Sequence, residues 1–505
     1  MLLSDLIISV WGDPTGWWCV NKYKVEMSRS DLIHFYEASK AYKSSLGVLM
    51  EAYPDARVLL FVSSTLGDPR VGSYGGLVKR VEDYVGSHLS NVEFCGDRSK
   101  VSVVVLPGVG RFKDSRSFVG GVEGFRVAAF LKAYECMLEY RPKRVVLDLT
   151  HGLNYMPTYV RLSVFDALTC YSSLSKDYRV ELLVYNSEPF PVGASYAEEL
   201  TVMLVEDYLF DFKSAQARLY HLVWDVLRNV SSLRPVKSLF GKRLPSYQAC
   251  DWKSLFNCVK KFVSAVSWGP VILLAEAVEV LSSIDLERLR RELSRFSYLC
   301  DCEDLVRFDD GVLSYLYSPS FNAALVLGLA DVIKRLDLRF ERFDGGFRGA
   351  DLERTAEILL SGVANTLFEH EWSQLKDRLE LARVLSLDVG RWVRYNAFIK
   401  LGEIRFQNKP LLQMLRNVRR GKCMLDFNAV KRDSASSIEA ALAEGEAVEE
   451  VDKRNFVAHA GLEKNVTLVC EKNHDVYVKY DERLRERVNR ILAELFMSSY
   501  QDSRR

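Results

Sequence analysis

The stretch Arg144-Val145-Val146-Leu147-Asp148-Leu149-Thr150-His151-Gly152-Leu153-Asn154 begins as an apolar run and ends as a polar, glycine-containing turn ahead of a helical pattern. An unbroken apolar run of this length reads as a strand buried on both faces, and the change of character marks its carboxyl end. Four other runs have the same build: Leu6–Val10, Arg57–Val62, Val101–Leu106 and Val180–Tyr185. Between them, helical periodicity runs over about Arg29–Tyr53, Gly76–Leu89, Glu123–Tyr140 and Tyr155–Leu174. Strands and helices in alternation predict a mainly parallel, doubly wound, Rossmann-like α/β domain over residues 1–195. Sheets of this kind bind ligands just beyond the carboxyl ends of their strands.

The residues at those ends are therefore the candidate ligand contacts. Strand one runs into Trp11, Gly12, Asp13 and Pro14, with Trp17 close behind, and strand two into Ser63, Ser64 and Thr65. Strand three ends in Pro107, Gly108 and Gly110, and strand four in Thr150, His151, Gly152 and Asn154. No G-x-G-x-x-G follows the first strand and no Walker-type glycine loop is suitably placed, so the ordinary dinucleotide and nucleotide sites are excluded. Small hydroxyls, glycines and helix N-termini present donors to phosphate, and tryptophan offers a face to a purine. For single residues a plainer reading stands beside this one: Thr150 and Asn154 cap a helix, and His151 bonds a nearby backbone group. Taken as a set at one sheet edge, they point to a nucleotide-like ligand.

A chain of 505 residues is too long for a single core, and two or three domains are expected. A formal charge of +1 excludes a protein that is basic throughout, so any nucleic-acid contact must come from a local cluster of Lys and Arg. The apolar Leu2–Val10 has no basic leader before it, and Val271–Leu281 is broken by Glu276 and Glu279. Neither reads as a signal or a membrane span, which leaves a cytoplasmic location as the expectation. The ten cysteines include no C-x-x-C pair and read mostly as small buried apolar residues. A structural disulfide stays open.

After the first domain the pattern reads as helical, over Glu198–Val230, Leu255–Leu281, Leu286–Leu299 and Phe321–Leu336. Residues 196–349 are thus expected to form a helical connector, with room for a helix-turn-helix. Asp344-Gly345-Gly346-Phe347-Arg348-Gly349 reads as its flexible end. Residues 350–505 read as a second, all-α domain with helices at Asp351–Phe368, Trp372–Leu385 and Leu411–Arg420. A small hairpin follows at Asn465–Cys470 and Asp475–Tyr480, then a closing helix from Glu482 to Met497.

Within that domain lies Asp452-Lys453-Arg454-Asn455-Phe456-Val457-Ala458-His459-Ala460-Gly461. Asn455 and His459 are four apart and share a helix face, with Arg454 at its edge. Gly461 is a natural helix stop, which leaves His459 in the last turn, where the helix dipole favours the imidazolium. An imidazole titrating near neutrality suits general acid–base work, and a guanidinium beside it can steady a phosphoryl group in transition. Upstream, residues 391–432 hold eleven Lys or Arg and only two acids, Glu403 and Asp426. The cluster Arg416, Arg419, Arg420 and Lys422 is the candidate RNA contact. The interleaved Trp392, Tyr395, Phe398, Phe406 and Phe427 read more readily as core than as stacking platforms.

The Trp11–Pro14 turn and the Asp148-x-Thr150-His151-Gly152-x-Asn154 segment resemble those of the CRISPR-associated Rossmann-fold (CARF) sensor domain of type III CRISPR accessory ribonucleases. In that family the domain dimerises and binds a cyclic oligoadenylate. The resemblance implies such a ring, tetra-adenylate first among candidates, as an allosteric activator lying across a two-fold axis. Arg454, Asn455 and His459 resemble the motif of the HEPN nucleases (higher eukaryotes and prokaryotes nucleotide-binding). That resemblance implies a homodimeric or larger endoribonuclease of antiviral defence, acting on single-stranded RNA with no metal and no catalytic cofactor. The substrate's own 2′-hydroxyl would attack, two motifs would build one site, and DNA would be inert. A reading of another class is a ligand-sensing DNA-binding regulator without nuclease activity, its middle segment carrying the helix-turn-helix.

Overall fold

A computed structural model of the chain describes residues 5–17, 21–27, 34–91, 93–94, 97–153, 155–189, 199–229, 246–298, 305–316, 321–360, 362–445 and 450–502. It divides into two units. The first comprises Met1–Ser254 with Asp285–Leu336, and the second Leu255–Ile284 with Asp337–Arg505. The stretch expected to be a separate connector is thus shared between them.

The first unit is built on an eight-stranded sheet. Its strands are β1 (Leu6–Trp11), β2 (Tyr23–Glu26), β3 (Phe35–Glu37), β4 (Arg57–Ser63) and β5 (Val101–Leu106), with β8 (Arg144–Asp148), β9 (Arg179–Ser187) and β10 (Leu200–Asp211). Their order is β3-β2-β10-β9-β8-β1-β4-β5. The five strands read from sequence form the parallel centre. Ile7 and Trp11 of β1 pack in one apolar cluster with Leu46 and Leu49 of α1 (Ser45–Ala52) and Val81 and Val85 of α2 (Tyr74–Leu89). Helices α3 (Glu123–Tyr140) and α4 (Tyr155–Ser172) pack against each other and also against β1. Burial of both sheet faces explains why these strands are apolar throughout.

Three expectations need correcting here. The helix expected over Arg29–Tyr53 is confined, among the described residues, to α1, and Phe35–Glu37 pairs antiparallel with β2. Glu198–Val230 is not one helix: β10 runs antiparallel to β9 before α5 (Phe212–Asn229) begins. Its burial alternates over Leu200, Val202 and Leu204, the period of a half-buried strand. The connector also holds a hairpin, β11 (Val306–Asp309) with β12 (Val312–Tyr315). That hairpin adds to β7 (Ser117–Val119), which pairs with β6 (Gly110–Arg111), to make a four-stranded sheet within the first unit.

The second unit is mainly helical around a five-stranded sheet, in the order β13 (Arg342–Phe343), β14 (Gly346–Arg348), β19 (Asp475–Tyr480), β18 (Thr467–Lys472) and β15 (Val393–Arg394). The expected hairpin is β18–β19. The expected flexible linker is instead the tight turn of β13–β14, with Asp344 at φ 43° and Gly345 at φ 77°. Asp-Gly with both residues left-handed is the dipeptide that closes a two-residue hairpin. The helices read as Asp351–Phe368 and Trp372–Leu385 are Gly349–Leu359 and Gly362–Val384, and Leu255–Leu281 breaks at Gly269-Pro270 into Ser246–Trp268 and Val271–Ser283. A buried ion pair fixes the sheet's end: Arg394, fully buried on β15, lies 2.6 Å from Asp481 just past β19. Hydrogen bonds from Arg483 and Arg394 hold the Asp481 carboxyl far below the usual carboxylate range despite desolvation. Removing Asp481 would strand the buried Arg394 charge, at a cost of about 3–5 kcal/mol, whereas Asp481 without Arg394 would keep Arg483. Of the five described cysteines, Cys136, Cys170, Cys258 and Cys470 are buried and Cys423 is exposed, and none is in a disulfide. Among the described residues no helix is long and apolar enough to cross a membrane.

Candidate functional site

In the first unit β1 lies between β4 and β8, so strand order reverses at the crevice between the carboxyl ends of β1 and β8. Both sequence motifs sit there, and the Gly12 N–H donates to the His151 carbonyl at 2.8 Å, tying one to the other. A Cβ on Gly12 would lie 2.4 Å from the Leu153 side chain, so the two turns meet where glycine leaves room. Beneath them Asp148, fully buried, accepts from the Ser9 and Ser45 hydroxyls, each at 2.9 Å, and from the Thr150 N–H at 3.1 Å. It braces β1, α1 and the turn together.

Most of the candidate ligand residues at this edge are engaged with one another. Asp13 accepts from the Thr15 N–H and hydroxyl and, at 2.5 Å, from the Tyr84 hydroxyl. Desolvation pushes its pKa up, but the hydrogen bonds from Tyr84 and Thr15 win and leave it below the ordinary carboxylate value. Ser63 accepts from the N–H and hydroxyl of Thr65, and Ser64 accepts from the Gly108 N–H at 2.9 Å and pairs with the Tyr315 hydroxyl at 2.8 Å. His151 Nε2 accepts from the Ser45 N–H at 3.1 Å, the plainer of its two readings. Burial holds its imidazole well below the ordinary histidine pKa, against the opposing pull of Asp148. The expectation that Trp11 offers a face to a base is corrected: it points inward from β1, is fully buried, and packs edge-on against Trp17. Trp17, half-buried, lies with its ring centroid 4.2 Å from that of His151. Gly152 is half-buried beside it. The Thr150 hydroxyl and the Trp11 indole nitrogen are buried with no hydrogen-bond partner among the described residues. Asn154 lies outside the described residues.

In the second unit Asp452 caps the helix Lys453–Ala458 by accepting the Asn455 N–H at 2.8 Å. His459 closes that helix, its N–H on the Asn455 carbonyl at 3.0 Å. The stop expected at Gly461 is a paired reversal: the Ala460 N–H bonds Val457 and the Gly461 N–H bonds Phe456, with both residues left-handed. Arg454 and Asn455 are exposed, and neither side chain has an ion pair or hydrogen bond among the described residues.

His459 is held by a residue that sequence reading missed. Its Nδ1 lies 3.0 Å from Oε1 of Glu371, a carboxylate only 7% exposed on the helix Gly362–Val384. That hydrogen bond raises the His459 pKa above its ordinary value, against the opposing effect of desolvation. Pairing through Nδ1 fixes the ring and leaves Nε2 as its second functional nitrogen. Two turns along the same helix, Arg378 donates to the Tyr395 hydroxyl and, at 2.8 Å, to the Gln374 side-chain carbonyl. Glu463, fully buried nearby in sequence, has its pKa raised by desolvation. The i, i+7 spacing of Glu371 and Arg378 was the one signal in the sequence, and any amphipathic helix carries such pairs.

The candidate RNA cluster divides. Arg416 and Arg419 are both bound to Asp377 at 2.8 Å, and Arg419 also to Glu380, whereas Arg420 and Lys422 stand exposed after the helix Leu411–Arg419. Tyr395 and Phe398 are buried core, while Trp392, Phe406 and Phe427 are half-buried. Among the described residues no three His, Cys, Asp or Glu side chains are grouped to hold a metal ion.

A mainly parallel sheet with two motifs at its switch point, and a helical unit that presents an Arg-Asn…His helix end, define a protein of two parts. Two family models match those parts: the CARF domain of the CRISPR system endoribonuclease Csx1 over residues 6–189, and its HEPN domain over residues 361–482. The chain belongs to the CARF–HEPN family of CRISPR accessory ribonucleases. It is similar to the CRISPR system endoribonuclease Csx1 of Methanocaldococcus jannaschii, 29% identical over 220 residues. That match spans 41% of this chain and 41% of the relative, less than half the length of either. Among solved structures, Enterococcus italicus Csm6 bound to cyclic hexa-2'-fluoro-hexa-dAMP aligns over 86% of this chain and 99% of that one. The identity is 12% and the TM-score 0.24, too low to bear on this chain's geometry.

Proposed function

We propose that this protein is a metal-independent endoribonuclease of type III CRISPR defence, switched on by a cyclic oligoadenylate at the CARF sheet edge and cutting single-stranded RNA at the HEPN motif. The observation that supports it best is the His459–Glu371 pair: an imidazole with a raised pKa at a helix end, beside an exposed Arg454 without an ion pair among the described residues. In the reaction the substrate's 2′-hydroxyl attacks the adjacent phosphorus, its proton passing to a base, and the bond to the 5′-oxygen breaks as that oxygen takes a proton. Protonated His459 is suited to supply that proton, and Arg454 to balance the charge of the five-coordinate phosphorus. The proton-accepting role falls to the motif of a second subunit, which makes the homodimer the working unit and places Asn455 at the seam.

At the other end, Thr150 and the Ser63–Thr65 turn offer hydroxyl groups to the ring's phosphates, Gly12 shapes the turn with its N–H on the His151 carbonyl, and the unpartnered Thr150 hydroxyl is the group with most to gain. Arg420 and Lys422 remain the exposed cations for RNA, and the protein works in the cytoplasm. The test is a cleavage assay in EDTA on an RNA carrying a single deoxynucleotide at the mapped cut. The expected outcome is a 2′,3′-cyclic phosphate on all-ribose RNA and no cut at the deoxy position. Cutting at the deoxy position, or loss of activity in EDTA restored by a divalent ion, would overturn the chemistry.

A further inference from the structure

Beside the catalytic pair, the second unit holds a cavity of about 380 Å³ whose wall carries Arg378, Arg405 and Arg416. We propose that this cavity is a nucleotide subsite that grips a phosphate of the RNA strand flanking the cut; it rests on the ribonuclease reading above. Three short elements and one long one build it. Arg378 comes from the helix Gly362–Val384 and Glu403 from the end of Tyr395–Glu403. Arg405 comes from β16 (Arg405–Phe406), which pairs with β17 (Lys409–Pro410) in a tight hairpin, and Leu412, Gln413 and Arg416 from Leu411–Arg419.

The charges are not equivalent. Arg416 shares its charge with Asp377. Among the described residues Arg378 is held by neutral acceptors, the Tyr395 hydroxyl and the Gln374 amide, so its charge is positioned without being cancelled. Arg405 is exposed and has no ion pair among the described residues. Against these three cations the wall sets one carboxylate, Glu403. The first turn of Leu411–Arg419, which carries no side-chain cap, adds its partial positive charge. A pocket of this size lies at the low end of small-ligand sites, about 300–1,000 Å³, and takes one nucleotide rather than a duplex. The side chain of Leu412 gives a ribose or base an apolar wall, and the arginines receive the phosphate.

Position links the cavity to catalysis. Glu371, which holds His459, and Arg378, which lines the cavity, lie seven residues apart on one helix and so on one face. A strand with its scissile phosphate at His459 passes Arg378 with a neighbouring nucleotide in reach of Arg405.

The probe is a labelled 2′-O-methyl oligoribonucleotide, which keeps the phosphates but has no free 2′-hydroxyl to attack. Its binding to the full-length protein is followed against salt. Arg405→Ala is expected to weaken binding about tenfold and to lower the log–log salt slope by about 0.7, one phosphate contact on a single strand. Glu403→Gln is expected to tighten binding, an outcome that misfolding does not produce. Arg339→Glu, exposed and outside the wall, is the control for bulk charge and is expected to change affinity less than twofold. Wild-type affinity and slope in Arg405→Ala, no gain in Glu403→Gln, or an equal loss in Arg339→Glu would overturn the subsite. Because binding is read on an RNA that cannot be cut, failure of the ribonuclease chemistry appears separately, in the EDTA assay.

Discussion

The CARF edge and the HEPN motif put their polar side chains to opposite uses. At the first, Asp13, Ser63, Ser64, His151 and Asp148 all hold neighbouring turns, and among the described residues there the Thr150 hydroxyl and the Trp11 indole nitrogen are left unpartnered. At the second, Arg454 and Asn455 stand exposed and only His459 is tied down, by a single carboxylate. A ligand bound at an edge of the first kind would be recognised largely through the shape of its turns, so substitutions there are expected to disturb fold and recognition together. A motif of the second kind can lose its side chains with little effect on the fold.

Substitutions can break that contrast. The largest stability effect is expected from Asp148→Ala, which leaves the Ser9 and Ser45 hydroxyls and the Thr150 N–H without their acceptor. A loss of about 3 kcal/mol, read by denaturant unfolding, is expected to accompany loss of activator response. An Asp148→Ala protein with wild-type stability would show that the edge is not braced as described. Next is Thr150→Val, which keeps shape and removes the unpartnered hydroxyl. It is expected to raise the activator concentration for half-maximal cleavage about tenfold, with the melting midpoint unchanged. A melting shift with unaltered activation would make the residue purely structural.

Glu371→Gln sharpens the other side of the comparison. The raised pKa of His459 means that its proton is retained to higher pH in the folded protein. The stabilisation this brings is fully present below the unfolded histidine pKa and is lost as pH rises through the folded value. With the carboxylate gone, the alkaline limb of the pH–rate profile is expected to move to lower pH, leaving activity at acidic pH little changed. An unmoved limb would assign the proton to another group. The smallest effect is expected at Ala460, a left-handed alanine at the helix stop: Ala460→Gly should stabilise by about 1 kcal/mol, seen as a small rise in melting midpoint.

Much of this was legible in the sequence. The parallel strands stood out because strands buried on both faces are apolar without interruption, and their ends turn polar abruptly. β10 did not, because Met203, Val205 and Leu209 put apolar residues on its exposed face and blurred the alternation. Asp344–Gly349 read as a linker because glycine pairs serve flexible breaks and tight hairpins alike, and only the partner strand β19 decides between them. The motif residues Arg454, Asn455 and His459 were visible from helical spacing. Glu371 was not, since its contact with His459 exists only once two distant helices are packed. The ion pairs of Arg416 and Arg419 were hidden for the same reason: their acids, Asp377 and Glu380, lie on another helix.

The claim joining the two regions is that a ring bound at one drives cleavage at the other. Its most direct test is the single-turnover cleavage rate of labelled single-stranded RNA in EDTA, with and without cyclic tetra- or hexa-adenylate, for wild type and His459→Ala. One of the rings should accelerate the wild type, and His459→Ala should lose at least about a thousandfold at an unchanged melting midpoint. RNA that survives every condition, or a His459→Ala protein that cuts like wild type, would contradict it.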